Sequence, residues 1–202
     1  MKRLWLVCLA ACLPGAVVSL GQETAGEVLD KARQEFTAGR YAAAEIHLRE
    51  LTKVVPQNVQ VHAYLGHALF RQEKFAEAIG PYEKALELEA GGAKVSEQEH
   101  RILVDQLAMS YGIGGQIKKA FALLDEAIRQ DPDYPLNYYN LACAYAEQDD
   151  KAKVLSNLDL AFQRKANTLQ GEQMPDPRSD SSFQKYARDP DFVGLMKKLG
   201  YQ

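Results

Sequence analysis

The chain has 202 residues, 47% of them apolar and 25% charged, a balance that gives one globular domain a core of its own. Its formal charge is −3, and it becomes more negative if Lys2 and Arg3 leave with an N-terminal leader. No basic stripe compensates, so the composition excludes electrostatic support for nucleic-acid binding.

In chain order the leader comes first. Met1-Lys2-Arg3 is a positive start, Leu4 to Leu13 is an unbroken apolar run, and Pro14-Gly15 ends it before the small residues Ser19 and Gly21. This reads as an export signal over residues 1–21, cleaved after Ser19 or Gly21. The stretch from Leu4 to Leu20 falls short of the ~20 residues that span a bilayer, which disfavours an uncleaved anchor. Leu9-Ala10-Ala11-Cys12 offers a lipoprotein box as the alternative, although the sequence after Cys12 stays apolar instead of becoming a polar tether. Under simple cleavage Cys8 and Cys12 depart, leaving Cys143 alone and no intrachain disulfide.

The first helix is expected to start near Ala25 to Glu27. A column of small residues then recurs at Ala44, Ala78, Ala120 and Val154, a 34-residue period with one eight-residue interruption. Aligned on it, the chain divides into 25–58, 59–92, 101–134 and 135–168. Ala32, Gly66, Ala108 and Ala142 fall into a second small column, and Leu48, Tyr82, Leu124 and Leu158 into a bulky one. Large and small columns at helical spacing are what ridges entering grooves require. Gly39, Glu73-Lys74, Gly114-Gly115 and Asp149-Asp150 sit midway through their units, where a turn splits each into two helices, and Pro56 and Pro132 close the first and third. A unit this short cannot bury its apolar face alone and must stack on its copies.

Two places break the pattern. Gly80-Pro81 falls inside a second helix, where a bend or weakened pairing is expected. Residues 93–98 supply the interruption, and Ser96 with Glu99 has the spacing of a capping box, which starts the next helix early, near Glu97. Past Ala166 the period stops. Asn167 to Ser179 reads as an irregular connection, followed by two short helices opened by Asp180 and by Asp189-Pro190. Their apolar face of Phe183, Tyr186, Phe192, Leu195, Met196 and Leu199 is expected to cover the end of the stack, with 169–202 as a capping extension.

Tyr64-Leu65-Gly66-His67-Ala68 with Phe75-Ala76-Glu77-Ala78-Ile79, and Tyr138-Tyr139-Asn140-Leu141-Ala142-Cys143-Ala144-Tyr145, resemble the tetratricopeptide repeat family over residues 25–168. Lys31 in an apolar column and Val154 in a small one depart from its pattern. The resemblance implies an all-α, right-handed α-solenoid of four helix-turn-helix repeats with short C-terminal capping helices, and a concave groove lined by each unit's first helix. Carried over column by column, the partner-binding groove comprises Leu29, Arg33 and Phe36 in the first unit and Ala63, His67, Phe70 and Arg71 in the second. In the third it takes Ile102, Asp105, Met109 and Ile113, and in the fourth Leu136, Tyr139, Cys143 and Glu147. Apolar anchors of a bound protein or peptide would meet Phe36, Phe70, Met109 and Tyr139, with Arg33 and Arg71 orienting it by charge. The lysine and asparagine clamp that some family members close on a partner's carboxylate terminus is not reproduced. The chain's own tail covering part of this face is the competing expectation.

No residues converge on catalysis. Cys143 has no base placed beside it, and His62 and His67 are five apart, on different faces of one helix. Gly112-Ile113-Gly114-Gly115 lacks the lysine, serine and preceding strand of a phosphate loop, and no aspartate run has a calcium-loop pattern. Neither metal nor cofactor is expected. The expectation is a non-enzymatic interaction scaffold or assembly factor of the bacterial cell envelope, periplasmic or secreted, holding a partner protein or peptide. The alternatives are a self-associating structural module and a lipid-anchored envelope protein.

Overall fold

A computed structural model describes residues 23–201, and the leader expected at 1–21 lies outside the described residues. The described chain is all-helical and forms an α-solenoid. Four helix pairs follow one another: α1 (Ala25–Thr37) with α2 (Tyr41–Val54), α3 (Val59–Phe70) with α4 (Phe75–Ala90), α5 (Glu97–Ile113) with α6 (Ile117–Gln130), and α7 (Pro135–Glu147) with α8 (Lys151–Gln163). Short 3-10 helices at Lys165–Asn167 and Ser181–Tyr186 lead to α9 (Pro190–Lys198).

The helix starts follow local chemistry. Thr24 and Glu27 form a reciprocal capping box on α1, Asn58 accepts from the Gln60 and Val61 N–H groups, and Ser96 accepts from Glu99 N–H at 3.1 Å, so α5 does begin at Glu97. Each such cap is worth about 1 kcal/mol. Pro135 and Pro190 stand in the first turns of α7 and α9, where a missing N–H costs no hydrogen bond.

All four hairpin turns use one device. Gly39, Glu73, Gly115 and Asp149 lie in the left-handed region, with φ of 75°, 59°, 71° and 56°, at the same intervals as the Ala44 column. The next residue returns its N–H to a carbonyl in the last turn of the first helix: Arg40 to Glu35, Lys74 to Leu69, Gln116 to Tyr111 and Asp150 to Tyr145, at 2.8–3.1 Å. This closes the helix as a Schellman-type cap. Glycine adopts the conformation freely, whereas Glu73 and Asp149 pay a steric penalty for it.

Packing follows the columns. Ala32, Ala44, Ala78, Ala120 and Val154 are buried, and so are the bulky Leu48, Tyr82, Leu124 and Leu158. The closest approach is at Gly66, where an added Cβ would sit 2.5 Å from Tyr82 Cδ1. α4 spans Gly80-Pro81 as one helix with Ala78, Tyr82 and Ala85 buried, so its pairing with α3 is retained and the expected weakening is absent. The tail docks on the last pair. Phe183, Tyr186, Phe192 and Met196 are buried, Lys151 binds Asp189 and Asp191 at 2.8 and 2.9 Å, and Lys198 reaches Asp159 at 2.7 Å.

Candidate partner-binding face

The first helices α1, α3, α5 and α7 lie side by side, and along the first three of them a cleft of about 420 Å³ opens. Phe36 of α1, Tyr64, His67 and Arg71 of α3, and Ile102 and Gln106 of α5 line it, while Ser96, Gln98 and Glu99 form a wall. That wall exists because α5 starts early. The aromatic floor is cross-braced: Phe36 meets Tyr64 edge-on at 5.8 Å and Tyr41 at 5.2 Å, and Tyr64 meets His67 at 6.1 Å between ring centroids.

His67 belongs to this floor as a fixed polar post. Its Nδ1 lies 2.8 Å from Gln106 Oε1 and 3.0 Å from the Tyr82 hydroxyl, which also bonds Gln106. A carbonyl oxygen only accepts, so the Nδ1 position carries the proton and the Tyr82 hydroxyl donates to the same oxygen. Burial pushes the His67 pKa down, against the opposing pull of Gln106, and the ring is held neutral.

The two groove arginines differ. Arg33 is engaged: it binds Asp30 at 3.1 Å and Gln60, and stacks 5.3 Å above Tyr64. Its charge also opposes the rise in the Glu99 pKa that burial causes. Arg71 is exposed, stacked 4.6 Å over Tyr41, and bonded to no carboxylate among the described residues.

The fourth unit is different. Tyr139 donates to Asp180 at 2.9 Å and meets Phe183 edge-on at 5.7 Å, and Tyr134 donates to Glu172 at 2.9 Å. The tail therefore occupies the face of α7. Leu136 and Tyr139 are buried, and Cys143 is half-buried beneath it. Burial raises the Cys143 pKa and the Asp180 charge adds to the rise, so the thiol resists ionisation. Asp105, between α5 and α7, accepts from Asn140 at 2.7 Å. Its carboxyl is pushed up to about 6 because burial and Glu172 outweigh that hydrogen bond.

Of the fifteen groove residues expected from sequence, Phe36, His67, Arg71 and Ile102 meet in the cleft. Met109 and Ile113 are exposed apolar side chains further along α5, 40% and 59% accessible, and Glu147 is exposed at the end of α7. Leu29 and Ala63 are corrected to core residues, packed between successive pairs. Tyr139 and Cys143 are corrected to tail-covered positions and Leu136 to a buried core residue, and Phe70 packs edge-on against Phe75 at 5.2 Å at the hairpin turn. Tyr64, Ser96, Gln98, Glu99 and Gln106 were not among the expected set; the interruption at 93–98 was the signal for the wall.

Among the described residues, no cluster of three or more His, Cys, Asp or Glu side chains is arranged to hold a metal ion, and no helix is long and apolar enough to cross a membrane. Models of the tetratricopeptide repeat family match residues 29–93 and 123–155. No curated protein matches the chain. Among solved structures, a MamA protein is similar over 87% of this chain and 89% of its own at 19% identity, with a TM-score of 0.66. MamA from Desulfovibrio magneticus RS-1 is similar at 17% identity and a TM-score of 0.63, over 87% of this chain and 92% of its own. YrrB, described as a tetratricopeptide repeat protein with an unusual peptide-binding site, is similar over 87% of this chain and 84% of its own, at 15% identity and a TM-score of 0.60. With the period, the hairpins and these matches in agreement, the chain belongs to the tetratricopeptide repeat family.

Proposed function

We propose that this protein is an exported, non-catalytic scaffold or assembly factor of the bacterial cell envelope that holds a segment of a partner protein along α1, α3 and α5. The observation that carries the reading is the contrast along one face: the cleft at Phe36, Tyr64 and Ile102 is open, while the same face of α7 is filled by the tail. A segment laid there would place apolar side chains on Phe36 and Ile102 and on the exposed Met109 and Ile113, with Arg71 meeting a carboxylate. The fold likeness to YrrB agrees with a peptide-like occupant. Export rests on the positive start, the apolar run and the small residues before Gln22.

A photo-cross-linking residue placed at Ile113 should capture a partner in the envelope fraction, and one at Ile46 on α2 should not. Equal capture at the two positions, or capture at Ile46 alone, overturns the face. Export is tested separately by fractionation and the mass of the mature chain. A start at residue 20 or 22 supports it, an acylated Cys12 supports the anchored alternative, and an intact leader in the cytoplasm refutes both.

Self-association is the second reading, favoured by Ile46 and Val54, which are 66% and 70% exposed and eight residues apart on α2. That spacing puts them on one stripe. A mass by light scattering that stays monomeric across concentration removes this reading.

A further inference from the structure

The cleft along α1, α3 and α5 has two poles. Of the residues lining it, Arg71 and Glu99 alone carry a formal charge. α3 and α5 are the first helices of successive hairpins and run the same way, and the contact of His67 Nδ1 with Gln106 Oε1 fixes their register. Glu99 stands seven residues before Gln106 on α5, and Arg71 four residues after His67 on α3. At about 1.5 Å per residue the two positions are roughly 16 Å apart along the helix axes, the negative one at the wall and the positive one at the hairpin end.

Neither charge has a direct partner of opposite sign. Glu99 gives its backbone N–H to the Ser96 hydroxyl, but its half-buried carboxylate makes no hydrogen bond or ion pair among the described residues. Burial pushes its pKa up against the charge of Arg33, and Glu89 adds to the rise. Arg33 itself is bound to Asp30 and Gln60. At Arg71 the partner is the face of Tyr41, which leaves the edge of the guanidinium open to an acceptor. Between the poles Ile102, Tyr64 and the neutral His67 offer apolar and aromatic surface.

A strand rises about 3.3 Å per residue, so about five residues bridge roughly 16 Å. The cleft, at about 420 Å³, is too small for a helix about 10 Å across over that length. On the reading that this cleft holds a segment of a partner protein, we infer that the segment lies extended and carries a lysine or arginine for Glu99 and an aspartate or glutamate for Arg71, with apolar residues between them. The reverse orientation sets like charges together at both poles, so the segment enters in one direction.

The probe is a random 12-residue peptide library displayed on phage, depleted on the full chain carrying Ile102→Trp and then selected on the unchanged full chain. Ile102 lines the cleft and lies outside the packed core, so the indole fills the space while the fold is kept, which circular dichroism checks. The selected sequences should carry a basic and an acidic residue about four to six positions apart. Glu99→Lys should weaken them about tenfold, and exchanging the peptide's basic residue for glutamate should restore binding to that variant, a rescue that an unfolded chain could not show. Arg71→Glu should behave likewise towards the acidic residue. Peptides that lose binding with Ile102→Trp yet are indifferent to Glu99→Lys leave the partner-segment reading standing and overturn the charge pairing. A basic-to-acidic spacing of about eleven, which spans the same distance as a helix, overturns the extended form. If no sequence distinguishes the unchanged chain from Ile102→Trp, the cleft is not the site and both readings fall. A doubled mass in light scattering that Ile102→Trp returns to monomer assigns the cleft to a second copy of this chain and overturns the inference.

Discussion

The Tyr139 hydroxyl donates to Asp180 across 2.9 Å, joining the middle of α7 to a residue 41 positions further along the chain. Burial and the Asp180 charge both push the Tyr139 pKa up, so the phenol stays protonated and the bond persists throughout the physiological range. Asp180 also caps the 3-10 helix through Ser182 N–H, so one carboxylate fixes both the tail's entry and its docking.

The tail should therefore be part of the cooperative fold. Phe183→Ala is expected to cost about 3–5 kcal/mol in urea unfolding, the range for a buried phenylalanine, and to raise amide exchange in α7 before α1. Tyr139→Phe should cost only about 1 kcal/mol. Unchanged exchange in α7 after Phe183→Ala would mean that the tail is peripheral.

Gly66 is fixed by contact with Tyr82. Gly66→Ala should destabilise by about 1–3 kcal/mol through overpacking, and Tyr82→Leu in the same chain should recover part of the loss. Additive melting shifts in the double variant would remove the contact as the cause.

The left-handed turn residues make a signed pair of predictions. Glu73→Gly relieves a conformation that costs an L-residue about 1–2 kcal/mol, partly offset by the entropy of glycine, and should raise the melting temperature. Gly39→Ala introduces the same strain and should lower it.

Two carboxyl groups give opposite dependences on pH. Burial would raise the Glu45 pKa, but Lys74, Arg49 and Gln72 donate to it and hold it at about 2, below the ordinary 4.5. Its contribution is present above pH 4.5 and is lost as the pH falls towards 2, a dependence that Glu45→Gln should flatten. The Asp105 carboxyl is raised from 3.8 to about 6, so its contribution is full below pH 3.8 and is lost as the pH rises through 6. Asp105→Asn keeps an acceptor for Asn140 and should be more stable than the unchanged chain at pH 8 but not at pH 4. Urea midpoints at those values test both.

The paired helices were legible because stacking demands the same small residue at the same depth, and Ala44, Ala78, Ala120 and Val154 supply it. The early start of α5 was legible from Ser96 and Glu99, since a cap is local chemistry. The binding face was legible only in part. Phe36, His67, Arg71 and Ile102 follow from column position, but whether Leu29 or Ala63 turns outward depends on the neighbouring pair, which no spacing within one helix reveals. The tail announced an apolar face without naming its target, because the Tyr139–Asp180 bond links segments whose sequences carry no shared register.

With α9 fastened to α8 by the lysines at 151 and 198, the place that a fifth hairpin would take is already filled by the chain itself. Gene duplication could lengthen the array by inserting units upstream of α7, but adding one after α8 would first require prying off this seal. Growth of the protein over evolutionary time is in that sense polar, with one end finished and the remainder free to multiply.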